Sequence, residues 1–356
     1  MRLTALAAIA ALAATGCSKK NTAKVSASAS ASASAAAAPP ACPLTGAPAP
    51  GGSIPQRPAF AVKMPNDPTG RPQTGLDKTD IVYEEPVEGG ITRLIAIYQC
   101  ADADRIEPVR SARFVDIDVL QQFGHPIFGH AGGIGPVLDA IKKATFIIDA
   151  EYSGTPYQGD YHRDSSRPAP QNLYTSTKEI YTTAGSSAGG PPSPPSPVFT
   201  YLTSTATAGV SSTVSSTVSG GAPGATVHVP FSGPAYDVYW RWNAATGVYL
   251  RSYGTAPANL SSGAQISATN IVVEQVSVTP SQYVEDETGT KENLIGTVGT
   301  GTAIVCRQGA CVQGTWNRPT LADMTRYLDP AGNQIPLAQG NTWVELEPNT
   351  QKPATS

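Results

Sequence analysis

Five arginines in three short polar segments are the side chains of this sequence most suited to chemistry. Arg93 closes Val87-Glu-Gly-Gly-Ile-Thr-Arg93, Arg110 and Arg113 sit in Pro108-Val-Arg-Ser-Ala-Arg113, and Arg163 and Arg167 in Tyr161-His-Arg-Asp-Ser-Ser-Arg167. A guanidinium offers a planar fork of N–H donors that grips a carboxylate or phosphate with two bonds, so arginines converging on one cleft would hold an anion. Glu88, Asp116 and Asp164 are the carboxylates expected to orient them. The competing reading is structural: ion pairs that pin loops to a sheet.

A second candidate is His130-Ala-Gly-Gly-Ile-Gly-Pro-Val137, a Gly-rich turn between a strand and a helix. Backbone amides at a helix start, with no side chain at Gly132 or Gly133 to block approach, suit a phosphate or carboxylate, and His130 is the candidate general base. The alternative is that the glycines serve close packing and His130 caps a carbonyl. The spacing is not G-x-G-x-x-G and a P-loop lysine is absent, so neither a nucleotide nor another cofactor is implied. Asp116, Asp118, His125 and His130 can be drawn as a metal site, but nothing in their spacing makes them converge, and no metal is expected. Nucleophilic catalysis would need a Ser or Cys beside a base; no G-x-S-x-G elbow is present, and Ser111, between two arginines, is the one serine to watch.

The address is written at the start of the chain. Leu12-Ala-Ala-Thr-Gly-Cys17 closes an apolar run of about a dozen residues, against the roughly 20 that a spanning helix needs. A small-residue site ending in Gly-Cys suits a lipoprotein signal peptidase, which would leave Cys17 as a lipidated N-terminus. The expected setting is extracytoplasmic, anchored to the cell membrane by lipid. With 356 residues, a net charge of -3, 34 Gly and 32 Pro, nothing in the composition argues for nucleic acid.

Four cysteines remain besides Cys17, and an even remainder in an oxidising compartment suggests two disulfides. Cys306-Arg-Gln-Gly-Ala-Cys311 reads as a hairpin turning at Gln308-Gly309, which sets Cys306 opposite Cys311 at a non-hydrogen-bonded pair. Cys42 with Cys100 follows by elimination. Four cysteines without a CxxC pair make a zinc site a poor rival.

The elements that must position these groups read as follows. Residues 1–17 are signal and lipobox, and 18–55 an Ala/Ser/Pro tether too poor in apolar residues to fold. Order is expected to begin near Pro58, with strands at 58–64, 80–85 and 92–98, the last a near-continuous apolar run typical of a buried strand. Segment 113–123 carries both strand alternation and a helix-ending Gly124, and helix is preferred. A short strand at 125–130 precedes a helix opening at Pro136, and Ser176-Thr-Lys-Glu179 is a capping box. Thr182 to Pro197 and Ser204 to Gly224 are low-complexity loops. Strands follow at 227–231, 236–242, 248–253 and 270–276, with Thr246-Gly247 and Thr300-Gly301 as hairpin turns. The expected class is α+β: an N-terminal α/β domain with a mixed sheet at 56–182, a linker at 183–225, and a smaller antiparallel β-rich domain at 226–348.

Val87 to Arg93, Pro108 to Arg113, His130-Ala-Gly-Gly133, Arg163-Asp164 with Arg167, and Ala169-Pro170 leading to Asn172-Leu-Tyr-Thr-Ser-Thr177 resemble the YerB-like lipoproteins, the domain-of-unknown-function family 3048. Gln265 to Val273 and Gly314-Thr-Trp-Asn-Arg318 are similar to that family's C-terminal domain, so the resemblance spans roughly Pro58 to Pro348. It implies a two-domain plan and an envelope lipoprotein, and no established activity; Asn172 joins the candidate ligand-binding residues through it. Where members often read Ala-Pro-His-Asn, this chain has Gln171, so an imidazole there is missing. Three functions stay open: a protein binding an anionic envelope ligand such as a cell-wall fragment, a hydrolase or transferase on cell-wall material with His130 as base and Arg110, Arg113 and Arg163 stabilising negative charge, and a scaffold recruiting protein partners. Oligomeric state is not legible.

Overall fold

Strands without a polar face have nothing to offer water and end up covered on both sides. In a computed structural model describing residues 39–187, 193–202, 221–285 and 288–356, this holds for β1 (Phe60–Pro65), β2 (Ile81–Pro86) and β3 (Thr92–Tyr98), each buried along its whole length. β3 lies between β1 and β2, antiparallel to both. β4 (Ile127–His130) joins β1 in parallel, and β5 (Ile148–Glu151) joins β4 in parallel.

Among the described residues three α-helices accompany them. α1 (Phe114–Leu120) forms where strand alternation competed, because the Asp116 carboxylate accepts the Arg113 backbone N–H at 2.6 Å and Gly124, at φ 75°, ends the following 3-10 turn. α2 (Gly135–Lys143) makes the crossover that a parallel β4–β5 pair requires. α3 (Thr177–Ser187) opens on the Ser176 hydroxyl, which accepts the Glu179 N–H. The loop expected from Thr182 is therefore helix as far as Ser187. Burial of Ile180 and Ala184 and the Tyr181 hydroxyl, which donates to Pro58 O, outweigh the low-complexity composition.

In the second half, β6 (Thr226–Pro230), β7 (Asp237–Asn243) and β8 (Val248–Tyr253) form an antiparallel meander. Then come β9 (Asn270–Val276), an arm of β10 (Val278–Val284) and β11 (Lys291–Ile295), the hairpin β12 (Gly299–Arg307) with β13 (Ala310–Arg318), β14 (Arg326–Leu328) and β15 (Thr342–Pro348). β15 runs parallel to β9 on one side and to β2 on the other. One eleven-stranded sheet results, in the order β14-β13-β12-β9-β15-β2-β3-β1-β4-β5, with Ala222–Pro223 added beside β13. The class is α+β, with a mixed sheet in the N-terminal half and mainly antiparallel pairing in the C-terminal half; the two halves share a sheet, and its seam, β15, is parallel on both sides. One sheet face packs Val62, Leu94, Ile271 and Trp343 against Val229, Val238 and Trp240 of the meander. The other packs Ala61, Tyr83 and Val344 against Val119 and Ile141 of the helices.

Two further expectations are corrected. Thr300-Gly301 lies inside β12 and not at a turn, because Gly301 makes room for the Trp316 ring: a Cβ there would stand 2.4 Å from Trp316 Nε1. Folded chain also begins well before Pro58, inside the expected tether: the Cys42–Cys100 disulfide ties this stretch down, Leu44 is fully buried, and the Tyr201 hydroxyl donates to Leu44 O at 2.6 Å. The second disulfide joins Cys306 to Cys311, opposite each other across a turn in which Gln308 and Gly309 take φ 53° and 75°. The signal segment, Cys17 and the tether through residue 38 lie outside the described residues, as do 188–192 and 203–220 of the two expected loops. Among the described residues no helix is long and apolar enough to cross a membrane.

Candidate functional site

β1, β4 and β5 end at the same edge of the large sheet, where the β2–β3 turn also lies. Carboxyl ends of parallel strands are where ligands collect in open sheets. Segment 108–113 is laced into this edge in extended form: Arg110 N donates to Lys63 O at 2.8 Å, Ala131 N to Arg110 O at 2.9 Å, and Ala112 N to Gly132 O at 2.9 Å. Arg93, Arg110 and Arg113 thereby come together.

Two of these guanidinium groups are engaged. Arg113 Nε donates to Glu88 Oε2 at 2.8 Å while its Nη2 pairs with Glu88 Oε1 and with Glu285 Oε1, the latter at 2.5 Å. Arg93 donates to Glu88 Oε1 at 3.3 Å and to Ser111 O at 3.0 Å. Burial pushes the Glu88 carboxyl up, but the Arg113 bond and both arginine charges outweigh it and hold it below the usual range. Burial and the Arg113 charge together bring Arg93 down to about 10. Arg110 differs. It has no ion pair among the described residues, its Nε is shielded from water without an acceptor, and burial lowers its pKa, with the Asp67 and Glu88 charges opposing and the Arg113 charge adding to the effect.

The arm of β10 and β11 reaches this cluster from the second half of the chain. It contributes Glu285, and Glu292, whose Oε1 accepts the Phe114 N–H at 2.8 Å, while the Tyr283 and Phe114 rings meet at 5.6 Å. Burial raises Glu292 to about 7.

The other candidates are placed elsewhere or engaged otherwise. Asp116 is fully buried, capping α1 and pairing with Lys63 Nζ at 2.6 Å; Lys63 also pairs with Glu85, whose carboxyl burial pushes up. His130 is fully buried, stacked on Phe128, with Nδ1 3.0 Å from Gly132 O and Nε2 3.0 Å from Asp149 Oδ1. Both nitrogens face acceptors, which leaves neither turned toward the arginines. Gly132, at φ 76°, lends its carbonyl to the Ala112 N–H, and Gly133 lies against Ala112 O just before α2.

Arg163, Asp164, Arg167 and Asn172 form a separate group. Arg163 donates to Asn172 Oδ1 at 2.9 Å, Asn172 donates to Asp164 O at 3.2 Å, and Asp164 pairs with Arg105. Arg167 donates to Gly70 O at 3.1 Å and Pro72 O at 3.2 Å, pinning this loop to the one after β1. Gln171 is buried and donates to Thr69 Oγ1 at 3.0 Å. Among the described residues no group of three or more His, Cys, Asp or Glu is arranged to hold a metal ion. Lys63, Glu85, Glu285 and Glu292 were not anticipated; the available signal was a charge inside an apolar strand run, as in Phe60-Ala-Val-Lys-Met64.

Two family profiles match the chain. The N-terminal domain described as "Protein of unknown function (DUF3048)" matches residues 44–189 and the corresponding C-terminal domain residues 227–344, so the chain belongs to the DUF3048 family. YerB of Bacillus subtilis (strain 168), named as a lipoprotein, is similar: 25% identical over 312 residues, 86% of either chain. The crystal structure of the YerB protein from Bacillus subtilis shares the fold, with a TM-score of 0.71 at 23% identity over 89% of this chain and 99% of that one.

Proposed function

We propose that this protein is an extracytoplasmic lipoprotein, anchored through Cys17, that binds an anionic ligand of the cell envelope at the sheet edge around Arg110. The anchor rests on the Gly16-Cys17 site and on the lipoprotein name of its relative YerB. One observation carries the binding reading. Of the three guanidinium groups at this edge, Arg93 and Arg113 are held by carboxylates, while Arg110, whose backbone bonds Ala131, makes no ion pair among the described residues and feels Asp67 and Glu88 only through their charge. An arginine kept half-buried without an acceptor favours an incoming carboxylate or phosphate, which supplies the missing acceptors. The enzyme reading has less support, because both His130 nitrogens already face Gly132 and Asp149.

The test is thermal melting of the full chain carrying Cys17→Ser, with inorganic phosphate and with muramyl dipeptide as probes. A saturable rise in melting temperature with at least one probe is expected, together with its loss in Arg110→Gln. A rise that persists unchanged in Arg110→Gln would remove the assignment.

A further inference from the structure

Arg71 belongs to neither arginine group described above. Its guanidinium lies over the Tyr253 ring, 3.5 Å from the centroid, with the Tyr236 ring at 5.4 Å. Arg71 Nε donates to Asn66 Oδ1 at 3.3 Å and Nη2 to Ala235 O at 2.9 Å, and no carboxylate pairs with it among the described residues. The near carboxylates are engaged by another arginine: Arg251, 5.2 Å from the Tyr253 centroid, pairs with Glu84 and with Glu345 at 2.9 Å. Tyr253 thus meets two guanidinium groups, of which Arg251 is ion-paired while Arg71 feels Glu84 only through its charge.

Arg71 is among the residues lining a cavity of about 430 Å³ between segments 71–73 and 253–266. That volume falls in the range of small-molecule sites, and such sites favour the junction of separate chain segments. The lining is mixed: Pro257 is exposed, Leu260 and Ile266 each show 4% of their surface, and Gln73, Asn259 and Ser261 are polar. The frame is tied by main-chain bonds: Ser261 N donates to Gln73 O at 2.9 Å, Leu260 N to Ala264 O at 2.8 Å, and Ile266 N to Ala258 O at 2.8 Å. An open cleft of mixed lining, with a guanidinium that has no ion pair among the described residues, is selective in a defined sense. It rewards a ligand that has both an apolar body and a single negative group.

We propose that this cavity binds a small amphiphilic anion, its carboxylate, sulfonate or phosphate paired with Arg71 and its aromatic ring or short acyl chain laid against Leu260, Ile266 and Pro257. The site is independent of the edge around Arg110. The probe is 8-anilinonaphthalene-1-sulfonate, titrated by fluorescence into the full chain carrying Cys17→Ser, with octanoate and octanol as competitors. A saturable single-site gain in fluorescence is expected, displaced by octanoate and about tenfold less well by octanol. Arg71→Met keeps an apolar stem over Tyr253 and removes the charge, and Asn259→Glu puts a like charge at the exposed rim. Each should weaken the probe about tenfold, while Arg110→Gln stays within about twofold, with near-ultraviolet dichroism confirming that each variant is folded. Absence of saturable binding by the folded parent chain overturns the proposal, as does Arg71→Met binding the probe as tightly as the parent.

Discussion

An arginine's role depends on what already holds it. Arg93, Arg110 and Arg113 look alike in the sequence, and the structure separates them by partners: Glu88 holds two of them and leaves the third. Arg93 is 6% exposed and pairs only with Glu88 among the described residues, so loss of the Glu88 charge would strand a buried cation and leave Arg113 with Glu285 alone. Glu88→Gln is therefore expected to lower stability by about 3 kcal/mol, the scale found when one partner of a buried pair is removed. Arg110→Gln, which breaks no ion pair, should stay within about 0.5 kcal/mol. Urea unfolding of both variants beside the parent measures the contrast; equal losses would mean that Arg110 is as much a structural residue as Arg113. The sequence showed which residue types gather near one another, since these arginines fall in short polar segments. It could not show which were already neutralised, because Glu285 reaches Arg113 from an arm about 170 residues away in the chain.

Legibility improves at the scale of elements, where the signals are local. Apolar runs marked β1, β3, β8 and β9 almost to their ends, and the two-residue turn at Gln308-Gly309 set the Cys306–Cys311 register. Glycine was the weak point. Thr300-Gly301 has turn composition, yet Gly301 sits in β12 because the Trp316 indole, whose Nε1 donates to Gln275 O at 3.0 Å, occupies the space of a side chain. A Gly301→Val substitution has no room: a Cβ would meet Trp316 Nε1 at 2.4 Å and Gln275 O at 2.7 Å. Overpacking of this kind should cost about 1–3 kcal/mol and displace the indole from its acceptor. Chemical denaturation and the Trp316 emission in a background lacking the other tryptophans report both effects. An unchanged midpoint would return Gly301 to an ordinary strand position. What no local signal marked was β15, whose Thr342-Trp-Val-Glu-Leu-Glu-Pro348 gains its place only by pairing with strands from both halves of the chain.

The shared sheet makes stability a property of the whole molecule, and it gathers buried carboxyl groups from both halves. Burial raises Asp80, just before β2, to about 6. It raises Glu274 in β9 to about 7 despite the Tyr327 hydroxyl that donates to it at 2.6 Å, and Glu347 in β15 to about 8. In each case the folded chain holds a proton that the unfolded chain, with carboxyl values near about 4, has already released. Between those values the folded state binds more protons, so stability falls as pH rises; the contribution is whole below about pH 4 and lost as pH climbs through 6 to 8. Glu85 and Glu345 follow the same trend, since burial outweighs the Lys63 and Arg251 charges and pushes both carboxyls up. Because Asp80, Glu274 and Glu347 flank one seam, the expected outcome is a single unfolding transition whose midpoint declines from pH 5 to pH 8.5. Glu274→Gln, which keeps a neutral partner for Tyr327, should flatten the part of the decline that lies below about pH 7. Calorimetry across this range decides the matter: two separable transitions would deny that β15 fuses the halves, and a midpoint that rises with pH would mean that these carboxyls are ionised in the fold.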